Sequence, residues 1–504
     1  MQTDVPHSGS KSANLQELCV VVLGASGDLA LQRILPALYT LWSLGTVPAR
    51  LTIVGVALTR LTQDEYRQLA LNAILAKGEP GFAADPGLSP ADFVGRLHFL
   101  TGDLQDSTVY RQLKSSYLGR SRQNALFYFA CSPQLFGIAA EKLAQNGLAG
   151  MDSQAQGFRR LMIEKPFGTN LQAARELNSL LHRYYHEADL FRVDHYLGKD
   201  AVQNLIYFRF TNTIFEPLWN RKYIDRIEIV LAENEGIGRR GSYYDQAGAA
   251  RDMLQNHLLQ LFCLSAIERP ANLSAAALRE EKVKLLRSSR IPQHSRELPA
   301  FVRGQYGTAG LPGIADGRAY RQEMLVHPQS TTETYVALKL YVDNWRWQGV
   351  PFILRSGKAL SQRYGEISIH FRQCPIDFPG AARGANRLIL RIQPEEGVSM
   401  RFNTRAPGGA EREQEELVGT LRDSASAAPG PYERLLADAL HGDNTLFIRF
   451  DETEEAWRLI DPMLSSWDQP GFCALQEYTS GSRGPDISCL YRNHPAWQQN
   501  SVIA

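Results

Sequence analysis

Apolar residues are grouped in two different ways along this chain, and the change falls near residue 200. Before it, short unbroken apolar runs alternate with segments of helical spacing. "ELCVVVLG" ends at Gly24, and Ile34, Leu35, Leu38, Leu41 and Trp42 then recur at helical intervals. That predicts strand, glycine turn and helix. "LTIVGVA" (51–57), "NALFYFA" (124–130) and "RRLMIEKPFG" (159–168) predict further buried strands, with helices over "DEYRQLALNAILA" and "QLFGIAAEKLAQNG". Strands alternating with helices imply a parallel sheet covered on both faces, an α/β arrangement.

After residue 200 the period shortens to two. "LIYFRFTN", "RIEIVLAE", "TYVALKLYVD", "EISIHFR", "RLILRIQP" and "TLFIRFDE" all read as strands. One long helix, "GAARDMLQNHLLQLFCLSAIE", interrupts them, with Met253, Leu254, Leu258, Leu261, Phe262 and Ser265 on one face. Strands with few helices between them predict a mostly antiparallel mixed sheet in an α+β domain. "RGQYGTAGLPGIADG" and "SASAAPGP" read as surface loops.

A chain of 504 residues exceeds one small core, so two domains are expected: 15–197 and 198–504. Net charge is +1, which offers no broad field for nucleic acid or an acidic membrane surface. No apolar run approaches the roughly 20 residues of a membrane helix. The opening residues are polar and lack the apolar stretch of a secretion signal. The six cysteines are scattered without metal-ligand spacing, so no metal site is expected and a reducing cytoplasm fits best.

Several stretches carry candidate chemistry. Gly24, Ala25, Ser26, Gly27, Asp28 and Leu29 form a strand-to-helix turn whose backbone amides and helix dipole suit a pyrophosphate. Tight turns of this kind also occur without ligands. At the end of the second strand, where an adenosine ribose would lie, stand Leu58, Thr59 and Arg60. An acid there selects NAD and an arginine accepts the phosphate of NADP; Leu58 does neither, and Arg60 reads as a phosphate contact or a solvated residue. Lys165 follows a strand and precedes Pro166, at a strand exit where open α/β sheets bind ligands. A cis Pro166 would aim that lysine, although most bonds before proline are trans.

His257 falls on the apolar face of the long helix. It reads either as a core histidine satisfied by one hydrogen bond or as a general base facing a cleft, oriented by Asp194 or Asp252. "FRVDHYLGKD" packs Asp194, His195, Tyr196 and Lys199 into one turn. It is a solvated loop or an anion grip, with Gly198 allowing the turn and "KDAVQNLI" starting a helix behind it. Lys358 and Arg363 are two cations near a turn, either solvated or facing a phosphate.

Together these stretches resemble the glucose-6-phosphate dehydrogenase family. "GASGDLA", "IEKPFG", "RVDHYLGK", "FEPLWNRKYI", "YYDQAGAARDMLQNHLLQ", "VPFILRSGKAL", "YERLLADALHGDNTLFIRFDETEEAW" and "GSRGP" occur in that family's order, from about Leu18 to Leu490. The resemblance implies a Rossmann-like dinucleotide-binding domain, a larger mixed-sheet domain, and homodimers or homotetramers. It also implies oxidation of glucose 6-phosphate at C1 with hydride transfer to NAD(P). In it His257 is the base, Asp194 orients it, and His195, Tyr196 and Lys199 hold the phosphate. Lys358 and Arg363 approach from the second domain. Glu233, Asp252, Lys165 and Gln393 contact sugar hydroxyls, and Lys165 also touches the nicotinamide end.

The departures from the family surround the adenosine phosphate. Leu58 stands where the family usually has an arginine, and Leu31 and Gln32 precede Arg33 where basic residues are typical; in the glycine turn, where many members have a basic residue, serine or threonine, this chain has Ser26. Weakened NADP preference with NAD use is the expectation. A different kind of function would be a sugar-phosphate or nucleotide sensor acting as a regulatory or assembly subunit; the retained His257, Asp194 and Lys199 weigh against it, because a binder needs no base.

Overall fold

The computed structural model describes residues 17–78, 88–119, 123–151, 156–295, 299–309, 318–376, 384–405, 412–420, 429–467, 469 and 473–491. The chain forms two compact units. The first comprises Met1–Gly198, Ser274–Ala276 and Ala425–Phe450, and the second comprises Lys199–Leu273, Ala277–Ser424 and Asp451–Ala504.

The first unit is built on six strands: β1 (Leu18–Leu23), β2 (Leu51–Ala57), β3 (Leu97–Thr101), β4 (Asn124–Phe129), β5 (Arg159–Glu164) and β6 (Leu190–Val193). Their order is β3-β2-β1-β4-β5-β6 and every pairing is parallel. All six residues of β1 and of β4 are buried, as a sheet covered on both faces requires. The strand order reverses between β1 and β4, the switch point at which such sheets open a crevice for ligands.

A late segment completes this unit. Leu435, Leu436, Ala439 and Leu440 from the helix Pro431–His441, together with Phe447, enter the core that holds Val20, Leu35, Leu38 and Trp42. The sequence placed everything after residue 197 in one domain. Spacing along the chain gives no sign that an amphipathic helix so late belongs to the first core.

The second unit holds β7 (Ile224–Ala232), β8 (Ser289–Arg290), β9 (Phe301–Ala309), β10 (Tyr335–Val342), β11 (Phe352–Gly357), β12 (Tyr364–Phe371), β13 (Arg387–Gln393), β14 (Gly397–Arg405), β15 (Arg412–Thr420) and β16 (Leu475–Ser480). They form a ten-stranded sheet in the order β15-β14-β13-β12-β7-β11-β10-β9-β16, with β8 pairing β10. Among the described residues of this sheet, only β7–β11 and β9–β16 pair in parallel. The fold class is therefore the expected α/β unit followed by a larger, mostly antiparallel mixed sheet.

Local expectations change at several places. "LIYFRFTN" is not a strand but the end of a helix, Asp200–Thr211. Its buried residues Ala201, Leu205 and Arg209 are four apart, and crowded aromatics imitated strand alternation. "TLFIRFDE" is a turn that leads into the helix Phe450–Ser466. Ile448 makes a single bridge to Arg192, and acids at Asp451 and Glu452 start the helix at its positive end.

The stretch beginning "RGQYGTA" continues β9 to Ala309, and residues 310–317 lie outside the described residues. Within "SASAAPGP", residues 424–428 lie outside the described residues and Pro431 begins a helix.

The long helix differs in kind from its expected form. It breaks at Gly248 and continues as Ala250–Leu258 and Leu259–Ala266. The middle segment is wound wide, with the amide of Leu259 reaching back to Leu254. Residues 252–266 are all buried, so the helix is enclosed on every side, its polar residues included, rather than along one apolar stripe.

Candidate active site

The glycine turn sits at the C-terminal end of β1, beside the switch point. Gly24 has φ +92, and a Cβ there would lie 2.5 Å from the carbonyl oxygen of Ala130, just past β4. Only glycine lets the backbone close this approach. The amides of Gly24 and Ala25 donate to Val56 O at 2.8 and 3.1 Å, and Gly27 N donates to Gly24 O at 3.1 Å. Helical backbone begins at Asp28 and passes through a wide turn, Ala30–Ile34, before Leu35–Ser43. With those three amides engaged within the protein, the helix start that follows the turn at the switch point is the part that fits a dinucleotide pyrophosphate.

At the end of β2, Leu58 is 73% exposed and Arg60 is exposed beside it. The hydroxyls of Ser26 and Thr59 lie 2.9 Å apart, which ties the glycine turn to this strand end.

In the turn after β6, Asp194 is 0% exposed and its carboxylate accepts the amide of Tyr196 at 2.9 Å. Leu197 N donates to Asp194 O at 3.0 Å, and Gly198 N to His195 O at 3.3 Å. The His195 ring stacks on Tyr432, 6.1 Å between centroids and 8° between planes. Arg434 donates to Gly198 O at 2.7 Å. A side chain on Gly198 would meet Pro431 O at 2.7 Å, so this glycine serves close packing. The sequence suggested a turn requirement instead.

Beside this turn lies an acid that sequence reasoning passed over. Glu164 ends β5 and accepts a hydrogen bond from Tyr128 at 2.5 Å. Burial pushes its pKa up to about 7, against the hydrogen bonds from Tyr128 and Tyr432 and the charge of Lys165; Asp194 pushes the same way as burial. Lys165 follows, partly buried, and the Lys165–Pro166 peptide is cis.

In the second unit, Lys199 precedes the helix Asp200–Thr211, whose first turn it opens. Its ammonium donates to Gln393 Oε1 at 2.5 Å. The peptide after Gln393 is also cis. Lys358, buried at the end of β11, pairs with the Glu233 carboxylate just beyond β7. Burial works to raise the pKa of Glu233, but Lys358 outweighs it and the net shift is downward, while Asp252 opposes it. Asp252 is buried and accepts from Tyr243 at 3.4 Å. The Lys358 ammonium lies 5.3 Å from the Tyr244 ring centroid.

His257 is 1% exposed, in the wide-wound part of the helix, with its amide donating to Asn256 Oδ1 at 2.6 Å. Arg363 stands exposed in the loop before β12. The second unit thus gathers Glu233, Asp252 and Lys358, which lie far apart in sequence. The aromatic and acidic supports Tyr128, Glu164, Tyr243 and Tyr432 carried no spacing signal that marks them.

A parallel sheet with a glycine turn at its switch point, joined in one chain to a mixed-sheet unit that carries acids, a lysine and a buried helical imidazole, defines a two-domain dinucleotide-binding oxidoreductase. Residues 21–204 match the pattern described as "Glucose-6-phosphate dehydrogenase, NAD binding domain", and residues 206–498 match "Glucose-6-phosphate dehydrogenase, C-terminal domain". The chain belongs to the glucose-6-phosphate dehydrogenase family.

It is 39% identical to glucose-6-phosphate 1-dehydrogenase of Aggregatibacter actinomycetemcomitans, covering 97% of this chain and 98% of the relative. It is 40% identical to the same enzyme of Mycolicibacterium smegmatis, over 92% and 94%. Among solved structures, glucose-6-phosphate dehydrogenase in complex with its substrate glucose 6-phosphate superposes with TM-score 0.83 at 32% identity, covering 96% of this chain and 99% of that one.

Proposed function

We propose that the protein oxidises D-glucose 6-phosphate at C1 to 6-phosphoglucono-1,5-lactone, the first step of the oxidative pentose phosphate pathway. The observation that carries the reading is the group in the second unit. Lys358, Glu233 and Asp252 converge there from separate strands and helices, in a family whose substrate-bound member shares the fold.

His257 takes the proton of the C1 hydroxyl, and Asp194 orients the imidazole and stabilises its charged form. His195, Tyr196 and Lys199 hold the phosphate, with Lys358 and Arg363. Glu233, Asp252, Lys165 and Gln393 hold sugar hydroxyls. Anchoring the unreactive end keeps C1 in register, so binding energy is used at the reacting carbon. The pyrophosphate of the nicotinamide cofactor rests at Gly24, Ala25, Ser26, Gly27, Asp28 and Leu29. When bound, that cofactor supplies the hydride acceptor.

Leu58 offers neither an acid for a ribose hydroxyl nor a guanidinium for its phosphate, which supports use of NAD alongside NADP. Arg60 is the nearest cation in sequence to that position. The chain acts as a homodimer or homotetramer in the cytoplasm, a compartment that its six scattered cysteines suit.

Replacing His257 by Asn tests the base. Turnover should fall by about a thousandfold or more while glucose 6-phosphate still binds. Near-normal turnover would remove His257 from the role. Sugar-phosphate binding by the unaltered protein with no cofactor reduction would favour the sensor.

A further inference from the structure

We infer that Glu333 is a positioning residue for catalysis: it sets the start of the helix that carries Asp252 and His257 and locks it to the turn that carries Lys358. The inference rests on His257 being the base.

The helix break at Gly248, with φ 65 and ψ 175, gives the segment after it an N-terminus of its own. A helix start leaves several amides without partners inside the helix. Those of Ala249 and Ala250 are met by one residue from a different part of the chain. Glu333 O accepts from Ala249 at 2.9 Å, and Glu333 Oε1 accepts from Ala250 at 2.9 Å. A Cβ on Gly248 would lie 2.3 Å from that same Oε1, so the break has a glycine where the carboxylate needs the space.

Glu333 is 4% exposed, and burial pushes its pKa up to about 7, against the amide of Ala250, its own amide and the charges of Arg251 and Arg303. Burying an acid has a large desolvation cost, and a neutral cap from the preceding residue would close a helix at far less. What the acid adds is reach. The following residue, Thr334, accepts the amide of Lys358 on its carbonyl at 3.0 Å. Its hydroxyl lies 2.9 Å from the hydroxyl of Tyr478, which also donates to Lys358 O at 2.7 Å.

Two consecutive residues therefore tie the His257 helix to the Lys358 turn. The helix is buried on all sides, so a shift of its start is carried along it rather than absorbed.

The test uses the full chain. kcat, KM for glucose 6-phosphate, melting temperature and the isotope effect with substrate deuterated at C1 are measured for three variants. Glu333→Gln keeps an accepting oxygen and should hold kcat within about threefold of the parent. Glu333→Leu should lose about 10- to 100-fold in kcat with KM changed less than about threefold, and should show a larger isotope effect because the chemical step has become slower.

Glu333→Asp falls short of Ala250 and should be slowed in the same direction. A merely structural role would lower the melting temperature and leave the isotope effect of the folded fraction unchanged. A folded Glu333→Leu with parental kcat and isotope effect overturns the inference. If that variant fails to fold, equal kcat for the Gln and Asp variants does so. His257→Asn separates the two readings. If it keeps turnover, the base assignment fails. If it is inactive while the Glu333 variants are unchanged, only the positioning role fails.

Discussion

The phenol of Tyr128 donates to the carboxyl of Glu164 at 2.5 Å, at the end of the strand that presents Lys165. Burial raises the Glu164 pKa from an ordinary 4.5 to about 7, the hydrogen bonds and Lys165 notwithstanding. Between those two values the folded chain holds a proton there that the unfolded chain has lost. Its contribution to stability therefore falls as pH rises through that window. Glu164→Gln removes this slope. Thermal melting of both proteins from about pH 5 to pH 8 should show the variant gaining on the parent as pH rises. Parallel curves would refute the assignment.

The Lys358–Glu233 pair sits beside buried Asp252, so removing the lysine takes from Glu233 the charge that outweighs its burial. Lys358→Met should lower stability by about 1–3 kcal/mol, which calorimetry reads, and raise KM for glucose 6-phosphate by at least about tenfold. The conservative Lys358→Arg retains the charge but not the fit, so its KM should fall between the two.

Leu58 is exposed at the end of β2, the strand end that faces the adenosine ribose in dinucleotide-binding sheets of this kind. Leu58→Arg should shift the kcat/KM ratio toward NADP by about 10- to 100-fold, the value of one charge-assisted hydrogen bond. A parental preference for NADP of about a hundredfold or more over NAD would instead show that Arg60 or another group already fills the role.

Gly24→Ala puts a methyl group 2.5 Å from a backbone carbonyl oxygen at a positive φ. The cost should be about 1–3 kcal/mol of stability, with cofactor KM raised more than substrate KM. Equal effects on the two KM values would mean that the crevice at β1 is not where the cofactor lies.

The first sheet was legible because parallel strands buried on both faces leave continuous apolar runs, as in "LCVVVL" and "NALFYF". The last strands were not. β15, Arg412–Thr420, reads as a charged stretch, because its described side chains are mostly exposed and hydrogen bonding to β14 alone makes it a strand. The helix Asp200–Thr211 was misread where aromatics crowd one turn.

The candidate site residues lie in ordered motifs, so the chain alone suffices to nominate them. It does not nominate Glu164, Tyr432 or Glu333, since each gains its part from a neighbour remote in sequence.

The sequence by itself determined the family and the two kinds of sheet and nominated candidate side chains for the chemistry, because local spacing and ordered motifs are properties of the chain. Tertiary structure alone decided that a helix at 431–441 completes the first core, that the His257 helix is wound wide and buried all round, and that Glu333 closes its start. Those outcomes depend on which distant groups share a dry interior, where an unmet amide or an uncompensated charge is costly.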